Sequence, residues 1–215
     1  MLRQIYQHAR RPKATLMNAG TTAERVYDSL KRTLANGSFA PGARLEPARL
    51  AQELSSSATP IRDALNRLAG ERLIEMRPSD GFHIPRLNEI GLRDLYRWNE
   101  VLARTALRMS RKSEPTGGHH IAPIDAADLF GFIAASSGSG EIVSRVASAN
   151  ARLAYVRHVE SSIIEDTADE IGGIATAFWQ RSISTRMLIQ QYHKSRLAIV
   201  PTIIELIFQG AQTIR

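Results

Sequence analysis

The sequence predicts a mainly α-helical protein, with an N-terminal winged helix-turn-helix and a C-terminal all-helical bundle. Three observations carry this reading. Two short helical patterns, Leu45–Leu54 and Ser57–Leu65, flank a tight break, and the second has an arginine, Arg62, near its start. Two short alternating runs then flank a turn signal at Pro78-Ser79-Asp80-Gly81, which predicts a β-hairpin. From Asn88 onward, apolar residues recur at helical spacing with almost no strand alternation. The chain divides accordingly into a basic, flexible tail over residues 1–20, the winged helix over 21–86 and the helical part over 87–215.

In the winged helix, Thr22 is placed to cap a helix from Ala23 to about Ala35, with Val26, Leu30, Thr33 and Leu34 as its buried stripe. Asn36-Gly37 ends it. Pro47 opens the next helix from its first turn. Leu50, Leu54, Ile61, Leu65 and Leu68 have the spacing of a small shared core and are structural. Ser57 is placed to cap the following helix, whose first turn tolerates Pro60 because an N–H there has no intrahelical partner. Arg62 then projects from the first turn and a half.

A helix-turn-helix puts the start of its second helix against base edges in the major groove. An arginine there can donate two parallel hydrogen bonds to guanine O6 and N7, worth roughly 1–3 kcal/mol of base discrimination. The plainer alternative for Arg62 is a surface ion pair with Glu53 or Asp63. Arg67, Arg72 and Arg77 can add phosphate contacts, with solvated surface as their plainer role.

The helical part starts with a pattern from Glu89 to about Arg111, with Ile90, Leu92, Leu95, Val101, Leu102, Ala106 and Leu107 as core candidates. Pro115–His120 reads as a loop. Helical patterns follow over about 125–136, 140–165, 167–193 and 201–212. Trp98 and Trp179 read as core residues, and His158 and the His119-His120 pair as surface or hydrogen-bonded histidines.

Composition narrows the function. The chain has 215 residues, enough to bury a real core, and 43% hydrophobic residues, an ordinary globular share. It has no cysteine, which excludes disulfides, thiolate metal sites and cysteine nucleophiles. No phosphate-cradling glycine loop, Gly-x-Ser-x-Gly elbow or metal cluster is present, so no enzyme is expected. The start lacks the apolar stretch of a signal peptide, and no apolar run reaches the roughly 18–20 residues that span a bilayer, so the chain is expected in the cytoplasm, away from membranes. The net charge is +7, which favours an anionic partner. Residues 1–85 hold 13 Lys and Arg against 8 Asp and Glu, and the remainder 15 against 13, so most of the excess lies in the N-terminal 85 residues, four of its five charges on the tail over 1–20.

These residues resemble the GntR family of bacterial transcriptional regulators. The resemblance covers about residues 21–85 and rests on an ordered set of motifs: Gly37-Ser38-Phe39-Ala40-Pro41-Gly42, Leu50-Ala51-Gln52-Glu53-Leu54, Ser57-Ala58-Thr59-Pro60-Ile61-Arg62-Asp63-Ala64-Leu65, and Leu73-Ile74 through Pro78 to Gly81. It implies a sequence-specific DNA-binding regulator whose DNA-facing residues are Arg49, Ser57, Thr59, Arg62 and Gly81, the last at the wing tip. Many members carry arginine where this chain has Ala58, so a different operator preference is expected. Repression is the commoner outcome in the family. An operator with two half-sites needs two recognition helices, so a homodimer on an inverted repeat of double-stranded DNA is expected.

The helical part resembles, more loosely, the sensing domain called FCD found in one branch of that family. Such domains hold a metal with one Asp and three His, and the metal holds an organic acid. In the same register this chain has Ala127, Gly131, Ile171 and His193, so one imidazole remains. Asn99 stands where an arginine often meets the effector. No metal and no cofactor are therefore expected. Asn99 and His193 are the candidate ligand-binding residues for an unidentified small-molecule effector. The cavity is expected either to be roomier and more apolar, suiting an aromatic or lipid-like molecule, or to have collapsed. In the second case the protein binds DNA without an effector, or without sequence preference.

Overall fold

The computed structural model describes residues 13–110, 123 and 125–213, with helical side chains described from Thr22 to Gln209. Its described residues form nine helices and three short strands in the order α1 (Lys13–Ala35), β1 (Arg44–Leu45), α2 (Pro47–Glu53), α3 (Ala58–Gly70), β2 (Glu75–Arg77), β3 (Gly81–His83), α4 (Glu89–Met109), α5 (Ala126–Ser136), α6 (Gly140–Glu160), α7 (Thr167–Trp179), α8 (Thr185–Ala198) and α9 (Val200–Thr213). The chain folds into two compact units. One contains the residues up to Arg32 together with Arg44–His83. The other contains Thr33–Ala43 and the residues from Ile84 on.

In the first unit α2 and α3 pack together, and β1, β3 and β2 form an antiparallel sheet in that order. Val26, Tyr27 and Leu30 of α1 are buried, as are Leu50, Ile61, Leu65, Leu68, Leu73, Ile74 and Phe82. Ile61, Leu65 and Leu68 are wholly excluded from water, and each such side chain contributes about 1.5–3 kcal/mol through burial. Leu54 and Thr33, expected in the core, are half-buried.

Helix ends in this unit share one device. After α2, Ser55 takes a left-handed conformation (φ 48°), and the Ser56 N–H donates to Ala51 O at 2.9 Å. After α3, Arg72 does the same (φ 60°), and the Leu73 N–H donates to Leu68 O at 3.1 Å. These bonds satisfy carbonyls that a helix end leaves orphaned, and the first of them fixes the sharp turn between α2 and α3.

The second unit is built around α4, which packs against α5, α6, α8 and α9. Leu92, Leu95, Tyr96, Asn99, Leu102, Ala103 and Ala106 line its buried face. Asn88 Oδ1 caps α4 by accepting from the Gly91 N–H at 2.8 Å, and Asp125 Oδ1 caps α5 through the Asp128 N–H at 2.9 Å.

Several expectations need correction. Helix α1 starts at Lys13, so residues 13–20 extend a helix where a flexible tail was expected, and Thr22 lies inside the helix and does not cap it. Ala14, Leu16, Met17 and Ala19 are good helix formers, and Gly20 costs only about 1 kcal/mol in a helix interior. Residues 1–12 and the loop at 115–120, with His119-His120, lie outside the described residues.

The pattern over 167–193 is two helices. Arg181 adopts φ 54°, and the Ser182 N–H donates to Ala177 O at 2.8 Å, closing α7 before α8 begins. Ile90 is 75% exposed and Val101 52%. At 100° per residue they fall opposite the buried stripe of α4, so α4 carries two apolar faces. Trp98, expected in the core, lies 45% exposed on that second face. Trp179 is half-buried against Phe178, with ring centroids 4.7 Å apart.

Candidate functional site

The start of α3 is polar and open. Ser57 occupies the N-cap position with an extended backbone (φ −88°, ψ 164°), but its hydroxyl makes no capping bond, contrary to expectation. That leaves both the hydroxyl and the first N–H groups of α3 available to an anion. Thr59 and Arg62 are exposed and three residues apart, so they share a helix face. Arg62 has no ion pair among the described residues. Glu53 is taken by Arg49 instead, at 2.8 Å and four residues away along α2. Arg49 itself has a side chain 75% exposed.

Arg67 and Arg77 are committed to the fold. The Arg67 guanidinium lies 3.6 Å over the Tyr27 ring and pairs with Glu24 at 2.9 Å, and Arg77 pairs with Glu75. The Arg67 commitment belongs to a clamp between α1 and the end of α3, which sequence patterning missed. Lys31 Nζ donates to Glu71 Oε2 and to the Tyr27 hydroxyl, each at 2.7 Å, while that hydroxyl donates to Glu71. Burial alone would raise the Glu71 carboxyl, but the bonds from Lys31 and Tyr27 outweigh it and hold the carboxyl below its usual range. The wing turns through Pro78-Ser79-Asp80 to Gly81, whose φ of 84° favours glycine; a Cβ there would meet nothing within 4 Å. His83 Nε2 lies 3.0 Å from Asp80 Oδ2 and holds the turn.

The helical unit contains a half-open cleft of about 430 Å³, lined in part by Asp125, Ala127, Arg157, Glu160, Ile171, Tyr192 and Arg196. It is not the apolar cavity expected. Glu160, 3% exposed, accepts from the Tyr96 hydroxyl and from Arg196 Nε at 3.3 Å, and Arg196 also pairs with Glu170. Burial, the Glu160 charge and the bond to Glu160 all push the Tyr96 hydroxyl far above its ordinary pKa. Arg157 Nη1 donates to Asn150 Oδ1 at 3.1 Å, and Asn150 Nδ2 donates to Ala127 O at 3.0 Å. Sequence reasoning passed over these residues. The available signal was polar residues at stripe positions of α6, where Asn150, Arg157 and Glu160 follow the spacing of Val146, Ala149, Leu153 and Val156.

Of the four positions read as former metal ligands, Ala127 and Ile171 line the cleft, whereas Gly131 and His193 are not on its lining. The described residues contain no group of three or more His, Cys, Asp or Glu able to hold a metal. Asn99 and His193, the two ligand candidates, meet each other in the core at 1% and 0% exposure. His193 Nδ1 lies 2.8 Å from Ile189 O, and Nε2 lies 3.0 Å from Asn99 Oδ1. Burial lowers the His193 pKa to about 4; the bond to Ile189 opposes this, and the charges of Arg157 and Arg196 add to it. A neutral ring has one N–H for these two acceptors. Turning the Asn99 amide half a turn presents its NH₂ to Nε2 and satisfies both ring nitrogens. His158 is exposed, as expected.

Residues 22–84 match the family described as "Bacterial regulatory proteins, gntR family". The chain is 38% identical over 76 residues to the HTH-type transcriptional regulator McbR of Escherichia coli K12, covering 35% of this chain and 33% of that protein. The chain thus matches about a third of the length of that curated relative. Over most of its length the fold matches the solved structure of E. coli McbR/YncC, with a TM-score of 0.67 at 20% identity, covering 84% of this chain and 97% of that one. It also matches a putative GntR regulator from Rhodococcus sp. RHA1, with a TM-score of 0.63 at 19% identity, covering 85% and 98%.

Proposed function

We propose that this chain, which carries a GntR-family helix-turn-helix domain over residues 22–84, is a transcriptional regulator that reads an inverted-repeat operator as a homodimer, represses transcription from it and is modulated by a small molecule. The observation that carries the DNA reading is Arg62: exposed, free of any ion pair among the described residues, and placed on the open start of α3. Thr59 and Ser57 beside it supply hydroxyls for base or phosphate, Arg49 a phosphate contact and Gly81 the wing's close approach to the backbone. The basic excess of the N-terminal 85 residues, four of whose five net charges fall on residues 1–20 ahead of this domain, favours an anionic partner.

The second apolar face of α4 supports the homodimer. Ile90, Val101, Trp98 and Met109 fall within a 100° arc at 75, 52, 45 and 47% exposure. A second copy of α4 laid against it removes this stripe from water, as a two-fold interface requires. Trp98→Glu together with Val101→Glu is expected to turn a dimer into a monomer by analytical ultracentrifugation; an unchanged mass would move the interface elsewhere.

Genomic fragment selection by the purified protein, repeated with Arg62→Ala, tests the DNA reading. An enriched inverted repeat that disappears with Arg62→Ala supports it. Binding without any enriched sequence, lost as salt rises, would overturn it in favour of non-specific DNA association, for which the exposed Ala58 in place of arginine is the argument.

A further inference from the structure

We propose that Asn66, on the exposed face of α3, is a specificity-determining residue that reads one adenine of each operator half-site through the major groove. The proposal rests on the DNA reading put forward above and adds to it the side chain that sets a second base.

The argument starts from which side chains of α3 are still available. Ile61, Ala64, Leu65 and Leu68 form its buried stripe. At 100° per residue, Thr59, Arg62, Asp63 and Asn66 fall on the opposite side, within an arc of about 100°. All four are exposed. The next residue on that face is Gly70, which has no side chain. Arg67, beside Asn66 in the chain, is held away, 3.6 Å over the Tyr27 ring and 2.9 Å from Glu24. Asn66 has no such tie. Its amide has no hydrogen-bond partner among the described residues, Asp63 one turn before it included. Asparagine is a poorer helix former than Ala, Arg, Lys or Gln, because its short amide competes for the backbone. No bond among the described residues offsets that cost, which points to a partner outside the chain.

Chemistry then selects the base. A side-chain amide carries an acceptor and a donor side by side. In the major groove adenine presents the complement: the N6 amino group donates to Oδ1, and N7 accepts from Nδ2. Guanine offers two acceptors there, cytosine a donor alone, and thymine an acceptor beside a methyl group, so none of them satisfies both halves of the amide. The Asp63 carboxylate only accepts, and cannot complete the adenine pattern.

The placement of the two readers fits this division. Asn66 falls about 150° from the middle of the buried stripe and Arg62 about 110° from it. The short side chain thus stands where the helix surface comes nearest the base edges, while the long one reaches in from the flank. At a rise of 1.5 Å per residue, Arg62 and Asn66 are about 6 Å apart along the helix. That is about two base-pair steps of roughly 3.4 Å. The adenine is therefore expected about two positions from the guanine that Arg62 reads. Ala58, exposed at the first residue of α3, offers no side-chain hydrogen bond, which shifts base reading toward these two residues.

The test is selection from a random-sequence duplex library by the purified full chain, by Arg62→Ala and by Asn66→Ala, followed by titration of the selected operator. The native protein is expected to enrich an adenine about two positions from the guanine whose preference Arg62→Ala abolishes. Asn66→Ala is expected to lose preference at that adenine alone, with discrimination there falling about fivefold or more. A second titration uses an operator in which this adenine is 7-deazaadenine, which pairs normally but lacks the N7 acceptor. The replacement should weaken binding by the native protein and leave binding by Asn66→Ala unchanged. The melting temperature of Asn66→Ala should hold or rise, since alanine favours the helix.

An unchanged preference at every position in Asn66→Ala overturns the proposal. So does an equal loss on all sequences, which would make Asn66 a phosphate contact. A 7-deazaadenine penalty equal in both proteins overturns it and gives the adenine to another group. A marked drop in melting temperature would make Asn66 structural. In each of these cases an enriched repeat that still depends on Arg62 leaves the DNA reading standing. If the native chain enriches no sequence, the DNA reading itself fails and this proposal falls with it.

Discussion

Arg62 and Arg157 are both guanidiniums without a carboxylate partner among the described residues, and they differ in their access to water. Arg62 stands exposed at the start of α3. There an unpaired cation is well solvated, and little is lost by leaving it free until an anion arrives. Arg157 has two nitrogens closed off from water. Inside a protein a bare guanidinium is expensive, so Arg157 is met by neutral acceptors, Asn150 Oδ1 and the Tyr192 hydroxyl. An exposed unpaired charge is permitted by many functions and becomes informative only through its place in a motif. A buried one is informative by itself.

The largest expected effect lies in the buried half of this comparison. Glu160→Ala removes the acceptor shared by Tyr96 and Arg196. Breaking a buried pair from one side typically costs about 3–5 kcal/mol. Denaturant unfolding should show a lower midpoint with an unchanged slope. A loss below about 1 kcal/mol, the scale of an exposed pair, would mean that the network is hydrated and the comparison drawn too sharply.

Next is acid sensitivity through His193. Its folded pKa of about 4 lies below the ordinary 6.5, so the unfolded chain binds more protons between these values. The contribution is fully present above pH 6.5 and is lost as the pH falls toward 4, amounting to at most about 3 kcal/mol. His193→Gln should flatten the stability profile across that window. Titration of the His193 ring by NMR with a midpoint near 6.5 would sink the assignment.

Arg62→Ala comes third and belongs to the exposed half. Base discrimination is expected to fall by about 1–3 kcal/mol, read as relative affinity for the selected operator and its point variants. The melting temperature should hardly move, because Arg62 has no partner in the fold to lose. Equal losses on every DNA sequence would make Arg62 a phosphate contact.

These two arginines also show what could be read in the sequence. The winged helix was legible because its signals are local: Pro47 opening a helix, Leu50, Ile61, Leu65 and Leu68 at core spacing, and Pro78 to Gly81 at a turn. Family resemblance then gave Arg62 its place. A helix end was legible where glycine takes the left-handed position, as at Gly37. One was missed where Arg181 does so, since nothing in its chemistry announces that conformation.

The two faces of α4 could not be ranked, because helical periodicity gives a stripe but not the neighbour that covers it. Ile90 and Val101 satisfied the pattern as well as Leu92 and Leu102 did. The charged cleft was hidden for a related reason. Arg157, Glu160, Tyr192 and Arg196 come from two helices more than thirty positions apart in the chain, and only the tertiary fold brings them to one lining.

The smallest expected effect tests whether an exposed ion pair withholds a cation from DNA. Arg49 is committed to Glu53, yet with a side chain 75% exposed the commitment is weak. Such i,i+4 pairs contribute about 0.3–0.5 kcal/mol. Arg49→Ala should therefore change stability by no more than that, while reducing affinity for all DNA sequences alike and lowering the salt slope by about one. Glu53→Gln is the sharper variant. If Arg49 must leave Glu53 to reach a phosphate, removing the acid should raise affinity by up to about twofold, the factor that a pair of this strength represents. If affinity instead stays constant in Glu53→Gln and falls in neither variant, Arg49 is a surface residue. The DNA-facing set would then contract to the start of α3 and the wing.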